Sequence, residues 1–267
     1  MDAPGQFVAP GWREIFAANG LSKFDDFWDW KVALFEQPNT DRGGWSGVAR
    51  CELRLPNGGT IRVFLKRQEN HVTRTLLHPV RGIPTFAREF QNIMRYRAHA
   101  IPSVTPLYFA SRQEDGKQRA ILLTEELAGF RSLDEWHRDW QQIPPSPRLR
   151  RAVIRSVADL LRQIHAHGLR HNCFYPKHIF VRLDSAERVE SRAIDLEKTK
   201  HSPFRHWRMN DLGTLNRHAA GWSRADRVRF FKEYLSIPHL TEDAKMQWRH
   251  LARRLARKHP DKHHAVI

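Results

Sequence analysis

The sequence predicts an α+β fold in two halves, the first rich in sheet and the second helical. Three observations carry this. Residues 48–65 alternate apolar and polar side chains on either side of Pro56-Asn57-Gly58-Gly59, the pattern of a half-buried antiparallel hairpin. Residues 148–167 set Val153, Ile154, Val157, Leu160, Leu161 and Ile164 at helical spacing, with Gly168 as a C-terminal stop. Between them, Ile143-Pro144-Pro145-Ser146-Pro147 breaks the chain before the long helix. The expected division is an N-terminal extension over 1–36, a sheet-rich lobe over 37–127 and a helical lobe over 128–267.

Taken in order, the elements support that division. A leader rich in Trp and Asp (Phe24 to Trp30) precedes the glycine-rich run Asp41-Arg42-Gly43-Gly44-Trp45-Ser46-Gly47, which leads into a strand over Val48–Leu55. The return strand is Ile61–Leu65. From Thr85 to Ala98, Phe86, Phe90, Ile93 and Met94 mark the buried stripe of a helix and leave Glu89 at its margin. Two further strands are expected over Leu107–Ala110 and Ala120–Thr124, parted by Gln113-Glu114-Asp115-Gly116. After the 148–167 helix come a polar loop at His171–His178, a strand at Ile179–Leu183, and a strand ending at Ile194. The remainder reads as helical.

Composition limits the function. The 267 residues are 40% hydrophobic and 28% charged, which is globular and not a disordered basic tail. Cys51 and Cys173 are too few for a disulfide framework, which favours a reducing compartment. The first twenty residues show no basic run followed by an apolar core, and no stretch approaches a membrane span, so a cytoplasmic protein is expected. Net charge is +16, so an anionic partner is favoured: nucleic acid, phospholipid headgroups or phosphorylated saccharide.

The motifs point to phosphoryl transfer, a reaction that needs little beyond positioning and charge neutralisation. Gly43, Gly44 and Gly47 would let backbone approach nucleotide phosphates, although a structural turn would use the same residues. Lys66 closes a strand as the phosphate-holding lysine of kinases does, and Glu89 is its matching helix acid. The loop then places His171 at the loop histidine, Cys173 at the catalytic acid, His178 at the metal-binding asparagine and Asp195 at the magnesium aspartate. No Ala-Pro-Glu motif follows Asp195 and the remaining chain is short, so a sugar or other small acceptor is expected in preference to a protein.

These segments carry a family resemblance. Arg42 to Val48, Leu65 to His71, Pro84 to Phe90, Cys173 to Ile179, Ile194 to Thr199 and Trp207 to Leu212 resemble the lipopolysaccharide kinases, particularly the InaA-like branch beside the core heptose and Kdo kinases. The resemblance implies a protein-kinase-like bilobal fold, sheet-rich N-lobe and helical C-lobe, with an abbreviated C-terminal region. It implies use of ATP and Mg²⁺ to phosphorylate a sugar of the lipopolysaccharide inner core, an anionic lipid-linked saccharide, at the cytoplasmic face of the inner membrane. It further implies nucleotide-binding positions at Gly43, Gly44, Gly47, Val48, Lys66, Glu89, Glu125 and Leu127, metal ligands at Asp195 and His178, and catalytic positions at Cys173, His171, Asp195 and Lys66. Arg67, His71, Arg74 and Lys177 are expected to meet acceptor phosphates; a solvated basic loop is the alternative for the 66–81 segment.

One residue departs from the pattern. The heptose kinases resembled here carry aspartate where this chain has Cys173. Three readings follow: the reaction proceeds without that base, His171 or a Cys173 thiolate replaces it, or the protein is a pseudokinase that binds nucleotide or glycolipid and regulates a partner. A buried apolar filler is the bland reading of Cys173. The histidines 165, 167 and 171 read as helix-end caps and core donors, with a transition-metal site as the alternative. The Arg and Trp residues from Arg205 onward motivate a nucleic-acid module, without any recognition motif. Trp248, Leu251 and Leu255 with Arg249, Arg253, Arg254, Arg257 and Lys258 draw a narrow stripe suited to packing on its own domain or to an anionic membrane surface.

Overall fold

In a computed structural model the described residues are 5–40, 43–74, 78–185, 188–202 and 204–258, with backbone alone for 205–208 and 254–258. Asp41 and Arg42 of the glycine-rich run therefore lie outside the described residues, as do the side chains of Trp207, Arg208, Arg254, Leu255, Arg257 and Lys258. The chain forms two compact units: residues 1–95 with 104–128, and 96–103 with 129–267.

The first unit contains β1 (Gln6–Val8), α1 (Trp12–Ala18), α2 (Phe24–Trp28), β2 (Trp45–Arg54), β3 (Thr60–Glu69), β4 (Val72–Thr73), β5 (Ile83–Pro84), most of α3 (Thr85–Ala98), β6 (Pro106–Glu114) and β7 (Lys117–Glu125). Five strands form one sheet in the order β1-β6-β7-β3-β2, and every pairing is antiparallel. The hairpin turn is made by Gly58, whose φ of 83° suits a residue without a side chain. Alternation along β3 sends Val63 and Leu65 into a core with Phe16, Phe27, Cys51 and Tyr108. The same alternation turns Lys66 and Gln68 to the opposite face, where they bond Glu89 and Thr85–Phe86 of α3.

The leader thus belongs to the sheet unit instead of preceding it. β1 pairs with β6, Phe7 packs on Phe90 with centroids 5.1 Å apart, and α1 and α2 supply Phe16 and Phe27 to the core. A three-residue strand is too short for alternation to reveal. Strand β2 starts three residues before the expected Val48, and β3 includes Lys66 as a strand lysine and runs on to Glu69, so Gly47 and Arg67 are ladder residues and not loop residues.

The second unit contains β8 (Arg131–Ser132), α4 (Leu133–Gln142), α5 (Pro147–Ala166), β9 (Leu169–Arg170), β10 (Ile179–Leu183), β11 (Val189–Ala193), β12 (Lys200–His201), α6 (Arg205–His218), α7 (Arg224–Leu235) and α8 (Glu242–Lys258). Helix α5 begins at Pro147, where a missing N–H costs nothing, and Ser146 Oγ caps the Leu149 N–H at 3.2 Å. Its apolar stripe is buried throughout. Arg150 ties it to Asp226 of α7 at 2.5 Å. Helix α4 was not expected from periodicity, yet Ser132 and Glu135 form a capping box at its start, a signal present in the sequence. Strands β11-β10-β8 form a small antiparallel sheet, and β12 pairs with β9. Among the described residues no helix is long and apolar enough to cross a membrane.

Candidate active site

In the first unit, Lys66 Nζ donates to Glu89 Oε1 at 2.6 Å. The Glu89 side chain is buried and the Lys66 side chain nearly so, with the ammonium 5.9 Å from the Phe86 ring centroid. Holding this lysine in place costs desolvation, which the close ion pair offsets. The glycines serve the backbone first. A side chain at Gly44 would sit 2.1 Å from the Glu69 carbonyl oxygen, and one at Gly47 would meet Leu34 at 3.0 Å. Gly43 is open, with φ of 76°. Val48 pairs with Lys66 across β2 and β3, Glu125 ends β7, and Leu127 lies half-buried just beyond it.

Of the acceptor candidates, Arg67 donates to the Trp28 and Trp30 carbonyls at 2.5 and 3.0 Å, so its guanidinium fastens the leader to the sheet. His71 is buried with Nδ1 3.1 Å from Thr85 Oγ1. Arg74 and Lys177 are exposed. Within the first unit, Arg67 and His71 are thus engaged in hydrogen bonds of the fold.

In the second unit the loop from His171 to His178 is fixed by its backbone. Asp211, fully buried on α6, takes the His171 N–H on Oδ2 at 2.7 Å and the Asn172 N–H on Oδ1 at 2.8 Å. His165 Nε2 stands 3.2 Å from the same Oδ2, and its Nδ1 is 2.8 Å from the Tyr234 hydroxyl. Asn172 has φ of 65°, a conformation Asn tolerates, and its amide donates to the Lys198 carbonyl at 2.7 Å. Sequence reading placed Asp211 only within a short resembling segment. Its anchoring role depends on a contact forty residues away in sequence, which no local pattern shows.

His171 is buried with both nitrogens engaged: Nε2 donates to the Ile194 carbonyl at 3.0 Å, and Nδ1 accepts the Cys173 N–H at 3.2 Å. Burial holds its pKa below the ordinary value against the pull of Asp211 and Asp195. It orients the loop as a neutral imidazole, with no nitrogen left to act as a base. Cys173 is also buried, and its thiol is pushed up, first by burial and then by the Asp195 charge. A lowered thiolate is the opposite of what this environment produces.

The pair His178–Asp195 is different. His178 Nδ1 donates to the Cys173 carbonyl at 2.9 Å, which leaves Nε2 with its lone pair, 3.4 Å from Asp195 Oδ2. Burial keeps the imidazole neutral, outweighing the raising effect of Asp195. Asp195 adopts φ of 57° and its side chain is about two-fifths exposed. One carboxylate and one tautomer-fixed imidazole suit a divalent cation completed by phosphate oxygens and water. Among the described residues no cluster of three or more metal-ligating side chains occurs. His165 and His171 are core hydrogen-bond partners, and His167 stacks on His99 at 4.2 Å.

A strand lysine clamped by a helix acid, followed in chain order by an anchored loop and an aspartate in a turn, matches the order expected of a phosphotransferase. Comparison with known proteins places it more narrowly. The chain belongs to the lipopolysaccharide kinase (Kdo/WaaP) family, which matches residues 25–234. It is 29% identical to protein InaA of Escherichia coli K12 over 77% of this chain and 93% of that one. It is 31% identical to the lipopolysaccharide core heptose(I) kinase WaaP of Pseudomonas aeruginosa over 57% of this chain and 59% of that one. A solved structure described as WaaP in complex with acyl carrier protein shares the fold at a TM-score of 0.68, covering 95% of this chain and 97% of that one at 23% identity. Membership of a kinase family implies ATP and a divalent metal as cofactors.

Proposed function

We propose that this chain transfers the terminal phosphoryl group of ATP to a hydroxyl of a lipopolysaccharide inner-core sugar. The observation that carries the proposal is the His178–Asp195 pair: the Nδ1 hydrogen bond turns Nε2 toward the carboxylate at 3.4 Å, an arrangement that a shared cation would make favourable. Lys66, held by Glu89, would bind the nucleotide phosphates; Asp195 and His178 would hold a divalent metal, whose charge would offset that on the transferred group. Asp211 keeps the loop from moving. Mg²⁺ is the proposed metal, with Asp195 as its carboxylate ligand, and the imidazole nitrogen of His178 would also accommodate Mn²⁺.

Arg74 and Lys177, both exposed, are the cations proposed to meet phosphates of the acceptor. The +16 charge favours an anionic, lipid-linked saccharide and peripheral contact with an anionic membrane. Phosphate transfer from labelled ATP to isolated core lipopolysaccharide under Mg²⁺ and Mn²⁺ tests the reading. No transfer, with an active relative run in parallel, overturns it.

The buried thiol at Cys173 favours one second reading, a pseudokinase that binds nucleotide or glycolipid and regulates envelope assembly. It predicts ATP binding without transfer. The acyl carrier protein is named only with the related structure; mixing it with this chain in gel filtration tests whether the partner is shared.

A further inference from the structure

The outer edge of strand β11 lines a cavity of about 460 Å³ within the second unit. We infer that this edge binds an extended, acidic segment of another protein as an added strand.

β11 stands at the end of the order β11-β10-β8, so one of its sides faces no strand of that sheet. Along an antiparallel ladder, bonded residues alternate with residues whose N–H and C=O point away from the partner. The Asp184 N–H donates to the Arg188 carbonyl and the Ile194 N–H to the His178 carbonyl, both at 3.0 Å, which sets the even-numbered residues toward β10. Val189, Ser191 and Ala193 therefore turn their backbone groups outward. Ala193 confirms the direction: its N–H donates to the Pro102 carbonyl at 3.1 Å, and Ser103 lies beside it in a parallel bridge. That cover ends at Pro102. Among the described residues, the outward backbone groups of Ser191 and Val189 meet no partner, and both residues line the cavity. Ser191 is only 4% exposed, so leaving its N–H and C=O unpaired carries a cost that an added strand removes.

The opposite wall says what the strand must carry. It is helix α5, whose Ser156 Oγ lies 2.8 Å from Ser191 Oγ and whose C-terminal His167 stacks on His99, three residues before Pro102. Helix and strand thus run the same way, with Pro102 at one end of the cavity and Arg155 and Arg188 toward the other. Leu160 and Val189 give apolar surface to alternate side chains of an incoming strand. The two guanidinium groups are on exposed side chains, and each meets a carboxylate through Nε, Arg155 with Glu233 at 3.4 Å and Arg188 with Asp184 at 3.0 Å. A guanidinium has further N–H donors, which suit a second carboxylate. The acids that line the cavity are already matched: Asp159 by Arg162 at 2.7 Å, and Glu190 by Arg182 and Arg192 at 2.8 and 2.6 Å. The charge offered to a newcomer is therefore positive.

The test is selection of a phage-displayed library of random octapeptides on the full chain. Selected peptides are expected to carry β-branched residues beside Asp or Glu and to slow hydrogen exchange at the Ser191 and Val189 amides. N-methylation of the peptide, one amide at a time, weakens binding by about tenfold at alternate positions only, a readout that leaves the protein untouched. Arg155→Glu combined with Arg188→Glu weakens binding by about tenfold or more. A library that yields no binder overturns the inference, as do binders indifferent to N-methylation or without effect on the two amides. Self-association of the full chain that the double charge reversal abolishes assigns the edge to a second copy and also overturns it.

Discussion

Asp211 receives the backbone N–H groups of His171 and its neighbour Asn172 on separate carboxylate oxygens, 2.7 and 2.8 Å away, in a fully buried position. The loop is thereby set through its backbone. Asp211→Ala leaves a buried donor at His171 and a part-buried one at Asn172 without this acceptor, at about 1–3 kcal/mol for the buried one. The expected result is a large drop in the urea midpoint and faster hydrogen exchange at the His171 and Asn172 amides. Exchange that stays slow at both amides would mean another group holds the loop.

The Lys66–Glu89 pair tests nucleotide binding by itself. Glu89→Gln keeps the shape of the side chain but removes the charge that orients Lys66. Losing one preorganised electrostatic contact costs ~10²-fold in kcat, with the fold retained. Turnover measured beside the melting temperature separates the two effects.

Cys173 should behave as an inert thiol. Burial and Asp195 raise its pKa above the ordinary thiol value, so the thiolate is scarce at neutral pH and grows only as pH passes that value. Cys173→Ser and Cys173→Ala are expected to transfer phosphate within about threefold of wild type, since no proton-transfer term of the ~10²-fold kind is lost. Alkylation of Cys173 followed by mass spectrometry, in a Cys51→Ser background, is expected to be slow at neutral pH and to accelerate at alkaline pH.

His137 sets an acid limit on stability. Its ring is buried against Trp140 and Trp222, and burial, with Arg150 and Arg227 nearby, lowers its pKa from 6.5 to about 4. Between those values the unfolded chain binds a proton that the folded chain does not, so stability is full above the upper value and is lost as pH falls toward the lower. The total is roughly 3 kcal/mol. His137→Phe should flatten the urea midpoint between pH 6.5 and about 4 relative to wild type; an unchanged slope would assign the acid sensitivity to other groups.

Gly44 and Gly43 should differ although they are adjacent. An alanine at 44 collides with the Glu69 carbonyl and forces the backbone apart, at about 1–3 kcal/mol. At 43 the space is open and only the positive φ is strained, at about 1–2 kcal/mol. Gly44→Ala should lower the melting temperature more and also disturb nucleotide binding, because it displaces the end of β3 near Lys66.

The fold was legible where periodicity is long. Helix α3 spans Thr85–Ala98 and strand β10 spans Ile179–Leu183 as their sequence patterns indicate. Short elements were not. β1 depends on pairing with β6 more than ninety residues away, and α4 announces itself only by its capping box.

The order of Lys66, Glu89, His171, His178 and Asp195 was enough to define a phosphotransferase by resemblance, because chain order and residue type survive in one dimension. The sequence alone also showed that Cys173 stands where the resembled kinases carry aspartate. What it could not decide was the state of that cysteine, the use of both His171 nitrogens, the tautomer of His178, or the tasks of Arg67 and Asp211. Each depends on burial and on which distant carbonyl, carboxylate or N–H stands within hydrogen-bond reach. Those are properties of packing, and only the folded chain supplies the neighbours that create them.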